Sequence, residues 1–533
     1  MLDPRLRKVG LVGGKSILNR LLAHAVSEID FMRLTLTAVL AALTLASPAA
    51  LGMVLNPRGT GQVLIYPYYT VNKQQQTLVS VTNTTYQGKV LKVRFREAYN
   101  GREVLEFNIF LSAHDTWTGT LFSLSDAGLP GTGAAILVVD KSCTGPNIAT
   151  VSPKLPDGRT YQPFLDYAYT GANSDTGPID DARTREGYFE IIEMAEVTGN
   201  TLTAITPVDG APANCAALLS DPPSADLTAP GGGVMGTEAI VNVAQGTFFS
   251  ANAYAIDGFA KQVLYSPTAS LFPDLNNADV STHGFVTAYV PIGGSYVQLD
   301  YPPSQAIDAV SALLMGDQIF GEWDNSPSEG AQTDWVITFP TKHYYVDGDA
   351  LAGSGQPQSV PPFLFLFGER ASGNSLGRSN VSFGSYVFNR EGTEIASDPP
   401  PPCGFNECPN YYPPVLFGLE TQVVTFPRNG SGEILGALGS TIETAVLPDF
   451  TVDGAGTANL DTVTADGHQL RPDAHGTILR GLPVIGFSVV DYINANVTPG
   501  VLANYSGANP LRTSLACGSV LTNSGVSGPC DSK

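Results

Sequence analysis

The stretch that decides the fold runs from residue 91 to residue 109, LKVRFREAYNGREVLEFNI. Leu91-Lys92-Val93-Arg94-Phe95-Arg96 alternates apolar and basic residues. Leu105-Glu106-Phe107-Asn108-Ile109 alternates apolar and polar ones. This two-residue period marks strands with one dry and one wet face. Between them, Tyr99-Asn100-Gly101 supplies turn residues. A two-residue Asn100-Gly101 loop would set Arg96 opposite Leu105 and mix the faces. A three-residue loop over Tyr99, Asn100 and Gly101 pairs Phe95 with Leu105, Val93 with Phe107 and Leu91 with Ile109. It also sets Arg94 against Glu106 and puts Gly101 where a left-handed residue is needed. The expectation is an antiparallel hairpin, half of a sandwich, with Lys92, Arg94 and Arg96 on its wet face.

Working outward, β-branched and aromatic runs bounded by turn residues recur along the chain. They lie at 61–71 (GQVLIYPYYTV), 76–81, 134–139, 188–192, 247–255, 284–291, 334–339, 363–367, 381–388, 422–426 and 482–490. One helix is expected, with Ser304 as its N-cap after Pro302-Pro303, Ile307, Val310 and Leu314 at helical spacing, and Gly316 as its end. With 56 Gly and 39 Pro in 533 residues, loops are many and helical patterns scarce. The fold class expected is mainly β, with one or two antiparallel β-sandwich domains, Ig-like or jelly-roll-like, long loops and little helix.

Residues 32–52 read as a secretory signal. Met32-Arg33 is the basic head, 34–46 the apolar run, and Ala50-x-Gly52 the small residues before a cut, with Ser47-x-Ala49 as a second option. The run is shorter than the roughly 20 apolar residues of a spanning helix. Residues 1–31 are then a mis-assigned extension or a long basic head. The mature chain divides weakly into 53–300 and 301–533. Upstream, Gly13-Gly14-Lys15-Ser16 imitates the end of a phosphate loop, but Val9 stands where its first glycine belongs.

The formal charge of −21 opposes nucleic acid and anionic lipid. Six cysteines, all beyond the signal, read as three disulfides of an exported chain, and neighbourhood favours Cys143–Cys215, Cys403–Cys408 and Cys517–Cys530. Cys403 and Cys408 also have zinc-like spacing, but no second pair of ligands completes a site.

No catalytic set is coherent. Gly373-Asn374-Ser375-Leu376-Gly377 matches a nucleophile elbow, yet a strand rather than a helix follows it. His468 and His475, with Asp466 and Asp473, could hold a transition metal, although loop spacing does not force them onto one face. The run from Asp274 to Asp279 alternates oxygen ligands as calcium loops do, without the glycine and glutamate of an EF-hand. Calcium is the one cofactor entertained, and no other is implied. Glu322-Trp323-Asp324 would put two carboxylates on one strand face around an indole, a pattern suited to sugars. Trp117 is the other candidate for stacking on a glycan.

The phrases IYPYYTV (65–71), TDWVITFPTK (333–342) and GLPVIGF (481–487), with the terminal cysteines, resemble a family of secreted proteins of Gram-negative bacteria described as surface proteins. The resemblance spans most of the mature chain. It implies export and carries no catalytic residue. The function expected is therefore an exported, non-enzymatic structural or adhesive protein of the cell surface or extracellular matrix, with the periplasm as an alternative compartment. The second reading is a carbohydrate-binding protein or glycoside hydrolase centred on Glu322, Trp323 and Asp324. Expected partners are surface glycans, other surface proteins or further copies of the chain; nucleic acid and a transmembrane anchor are not expected.

Overall fold

The structure is a computed structural model that describes residues 52–148, 152–218, 221–348, 351, 359–368, 377–395, 415–426, 436–445, 453–462, 467–498, 500–516, 519–522 and 525–526. Strands dominate. In the first part of the chain they are β1 (Met53–Leu55), β2 (Val63–Thr70), β3 (Gln76–Asn83), β4 (Gly88–Glu97), β5 (Glu103–Leu111), β6 (Thr116–Ser123), β7 (Ala134–Leu137), β8 (Cys143–Gly145), β9 (Tyr161–Pro163) and β10 (Glu186–Val197). Next come β11 (Val234–Asn242), β12 (Thr247–Asn252), β13 (Tyr254–Asp257), β14 (Val286–Ile292) and β15 (Ser295–Tyr301). The later strands used below are β16 (Gln318–Asp324), β17 (Ala331–Thr338), β18 (Val381–Asn389), β19 (Thr421–Thr425), β20 (Ala455–Asp461), β21 (Ile485–Tyr492) and β22 (Tyr505–Pro510).

Sheet I runs β15-β14-β1-β13-β2-β10-β4-β5-β8, and sheet II runs β12-β11-β3-β6-β7-β9. Sheet III contains β18-β20-β16, and sheet IV contains β19-β17-β21-β22. Neighbours in these orders are antiparallel except β1 beside β14. All eight residues of β2 are buried, so its near-continuous apolar run marks a strand covered on both faces. Pro67 is tolerated there because the β2–β10 ladder shifts register between Tyr66 and Tyr69.

The hairpin forms in the expected register: Leu91 faces Ile109, Val93 faces Phe107, Arg94 faces Glu106 and Phe95 faces Leu105. Gly101 has φ +62°. The loop is longer than three residues, because Arg96 lies opposite Glu103 and Val104 is extra. Glu97 organises that loop by accepting the backbone N–H groups of Tyr99, Asn100 and Arg102.

One face of sheet I packs on sheet II. Leu91, Val93, Phe95, Phe107 and Phe189 meet Val79, Val81, Trp117, Leu121 and Ile136 in a single core. The opposite face differs from the expectation. Lys92, Arg94 and Arg96 are 0, 1 and 8% exposed rather than wet. Chain from the 266–274 region covers them: Lys92 donates to the Pro267 carbonyl and Arg94 to that of Ser270. Carboxylates on β5 and β10 compensate the charges. Arg96 pairs with Glu190 at 3.0 Å, Lys89 with Glu193 at 2.7 Å, Lys92 with Glu106 at 3.3 Å and Arg94 with Glu103 at 3.0 Å. A polar alternation therefore marks a charged layer inside the molecule, where each ion needs its partner.

Strands up to Tyr301 pair with one another, as do those from Met315 onward. The two sets are nevertheless parts of one compact unit, Gly52–Lys533. Their shared core joins Ile65, Tyr188, Met194 and Leu299 to Trp323, Trp335, Phe339 and Leu460. The helix expected near 304 is α2 (Ala306–Leu313), buried along its whole length. It follows α1 (Gly199–Ile205), which the sequence reading missed. Ser304 does not cap α2. It sits in a preceding 3-10 turn, Pro303–Gln305, and Gly316 belongs to a short strand pairing with Leu482–Pro483. Residues 363–367 form an irregular segment rather than a strand.

A disulfide ties Cys143, on edge strand β8, to Cys215, with a Cα–Cα distance of 5.2 Å. The expected pairs Cys403–Cys408 and Cys517–Cys530, residues 32–51 of the expected signal and Ser375 of the elbow-like motif lie outside the described residues. Among the described residues, no helix is long and apolar enough to cross a membrane.

Candidate functional site

Sheets III and IV pack through aromatic rings: Phe426 stacks on Trp323 with centroids 5.9 Å apart and tilts against Trp335 at 5.1 Å. The Trp335 indole N–H donates to the Glu322 carbonyl at 2.9 Å, tying β17 to β16. Along β16 the side chains alternate, so Trp323 goes inward while Glu322 and Asp324 share the other face. This places both carboxylates on the wall of a cleft of about 450 Å³.

The rest of the lining comes from distant parts of the chain: Asn389 at the end of β18 and Arg390 just after it, Ser488 and Tyr492 from β21, and Asn509 from β22. Gly456 lets β18 approach β20 closely, since a Cβ there would strike the Phe388 carbonyl. Asp324 is positioned on three sides. Its carboxylate lies 3.5 Å from the Arg390 guanidinium, accepts from Tyr492 Oη at 3.5 Å and from the Ser326 N–H at 3.0 Å. Burial and the nearby Asp324 and Glu329 charges raise the Tyr492 phenol above its ordinary range, so it stays a hydrogen-bond donor. Glu322 is exposed to the cleft.

The cleft presents a polar wall with acceptors at Glu322 and Asp324 and donors or amides at Arg390, Tyr492, Asn389 and Asn509. Such a set can hydrogen-bond the hydroxyls of a polyol. Both carboxylates project from one strand, so neither faces the other across a bound molecule, as acid and base in a glycosidase must. The two tryptophans do not serve as stacking platforms. Trp323 is 2% exposed and donates its indole N–H to backbone carbonyls, and Trp117 is wholly inside the sheet I–II core.

The expected metal ligands are used elsewhere. His468 is buried with Nδ1 against the Pro362 carbonyl at 2.7 Å, while exposed His475 sits beside Asp473 at 3.3 Å; Asp466 lies outside the described residues. Asp274 caps a 3-10 turn, Asn276 accepts the Ile307 N–H, and Asp279 accepts the Lys261 N–H. Among the described residues, no group of three or more His, Cys, Asp or Glu side chains is placed to hold a metal ion.

A second polar cluster went unnoticed in the sequence. Glu420 accepts from Tyr188 Oη at 2.7 Å and contacts His343 Nδ1 at 2.6 Å. Beside it, Lys342 donates to the Ser379 and Leu419 carbonyls at 2.7 and 3.0 Å. Burial lowers this amine to about 7 despite the Glu420 charge. The cluster combines groups typical of catalysis, but it is buried and joins β10 of sheet I to the later strands. Tyr188 lies 155 and 232 positions from His343 and Glu420, and those two are 77 apart, with only adjacent Lys342-His343 to hint at the cluster.

By fold and site the molecule is a mainly β protein of several sheets with a polar cleft at the sheet III–IV junction. No family model, curated protein or solved structure matches the chain.

Proposed function

We propose that the chain is an exported, non-enzymatic adhesive protein of the cell surface or extracellular matrix, and that it adheres by binding saccharide in the cleft beside Glu322 and Asp324. The observation that carries this reading is the cleft itself, with carboxylates, amides, a phenol and a guanidinium gathered on one open wall. The signal-like segment at 32–52 and the resemblance to secreted surface proteins support export. Placement of both carboxylates on one strand favours binding over hydrolysis, which needs them on either side of the scissile bond.

The test is a glycan array combined with a reducing-sugar assay on the purified chain. A bound glycan without turnover is expected, and Asp324→Asn together with Asn389→Ala should weaken binding at least ~10-fold, the loss of about one hydrogen bond to a charged group. Sugar release that disappears in Glu322→Gln would overturn the non-enzymatic reading. Failure to bind any glycan would overturn the adhesive role of the cleft. N-terminal sequencing of the exported protein should begin at Met53, and recovery of Met1 would reject export through this signal.

A further inference from the structure

The outer face of sheet II differs from the rest of this acidic molecule. Its outward positions are Thr116, Thr118 and Thr120 on β6, Gln76, Leu78, Ser80 and Thr82 on β3, Met235, Thr237, Ala239 and Val241 on β11, and Phe248, Ser250 and Asn252 on β12. None carries a charge, in a chain with 49 acidic and 28 basic residues. The ladder registers arrange these side chains in rows across the strands. One row reads Asn252-Thr237-Ser80-Thr118, and the next Ser250-Ala239-Leu78-Thr120. Hydroxyls along the rows already touch: Ser80 Oγ lies 2.8 Å from Thr237 Oγ1, and Thr82 Oγ1 lies 2.9 Å from Thr116 Oγ1. Phe248, Met235 and Leu78 remain 53, 44 and 39% exposed among them.

We propose that this face is where a second copy of the chain docks, face to face about a two-fold axis. Three features select a copy as the occupant. Each copy carries a formal charge of −21, so the net field opposes approach, and this face adds no like charge of its own. A hydroxyl both donates and accepts, which makes rows of Ser and Thr complementary to themselves under a two-fold operation. The apolar Phe248, Met235 and Leu78 gain burial in the same arrangement. Four strands at a spacing of about 4.8 Å, each about eight residues long at ~3.3 Å per residue, give a footprint of roughly 500 Å² per copy. Two such faces total about 1,000 Å², the low end of specific interfaces, so the association is reversible. It is independent of the saccharide cleft, which is built from sheets III and IV.

Sedimentation velocity on the purified full chain, from low to high micromolar concentration, tests it. A monomer–dimer equilibrium that strengthens as salt screens the overall repulsion is expected. Thr118→Arg and Thr237→Arg, on exposed positions of one row across the face, should raise the dissociation constant at least ~10-fold through the facing like charges. Their unfolding temperature should stay unchanged. Thr203→Arg, at an exposed position of α1, is the control and should leave the equilibrium intact. A chain that is monomeric throughout overturns the proposal, including one that is monomeric yet pelleted by an insoluble uncharged polysaccharide. So does a dimer untouched by Thr118→Arg and Thr237→Arg.

Discussion

Asp334 shows how single buried groups set the response of this molecule to pH. Its two carboxylate oxygens accept from Thr425 Oγ1 and the Leu438 N–H, and burial outweighs these bonds, pushing its pKa up to about 6. In the unfolded chain the group titrates near the ordinary value of about 3.9. The folded state therefore holds the proton more tightly. The associated stability is fully present below that value and is lost as pH rises through about 6. A shift of about two units corresponds to about 3 kcal/mol. Asp334→Asn removes this slope, so urea unfolding should show the variant gaining about that much relative to wild type between pH 4 and pH 7. A constant difference between the two proteins at both pH values would reject the assignment. Lys342 acts in the opposite sense. Its lowered value leaves the folded state short of a proton between about 7 and the usual lysine range, so its burden is heaviest below pH 7 and eases above it.

At the scale of the element, the β4–β5 hairpin shows what could be read and what could not. Its register was legible because alternation and a left-handed glycine over-determine the pairing from Leu91 to Phe95. The length of its loop was not. Glu97 reads as one more polar residue, and only tertiary contact reveals that it gathers three backbone N–H groups while Arg183 holds it from the other side at 2.8 and 3.0 Å. Lys92, Arg94 and Arg96 misled for a related reason: the period of two reports which residues share a face, not whether water reaches it. The charges of β10 at Glu190, Glu193 and Glu196 were the available signal, but their spacing of three does not match a strand's period of two, and only the register shift between Glu193 and Ala195 accommodates it. The cleft divides in the same way. Glu322 and Asp324 share a face because of strand geometry alone, whereas Arg390, Tyr492 and Asn509 join them through pairings that no local pattern encodes. The hairpin also makes a sharp prediction. At Gly101, φ is positive and a Cβ would collide with the Glu420 carboxylate. Gly101→Val should therefore cost more than about 1 kcal/mol, measured by thermal unfolding. An unchanged midpoint would show that the loop can rearrange.

For the whole molecule, the change of sheet membership after Tyr301 does not make two independent domains. The large core takes Ile65, Tyr188 and Met194 from one strand set and Trp335, Phe339 and Leu460 from the other. The interior ions are shared too, since Glu420 serves both Tyr188 and His343. A fragment covering residues 53–301 would expose that apolar and charged face together. It should lack a cooperative unfolding transition and bind a hydrophobic dye, while the full chain melts cooperatively. A fragment that melts sharply on its own would establish the halves as separable.

The position of β1 carries a consequence for the timing of assembly. Although the first of the described strands, it is an interior strand of sheet I, with Leu55 opposite Ile256 on one side and Met53 opposite Ala288 on the other. Its partners arrive roughly 200 residues later, a closure whose entropy must be met before any ladder bond repays it. A chain emerging from its N-terminus can close the β4–β5 hairpin at once, yet sheet I keeps a gap between β1 and β2 until residues 254–257 enter it, and it gains β14 and β15 only once residue 301 is free. The molecule therefore has a long interval in which it is threadable and unfinished, followed by a late step that completes the sheet.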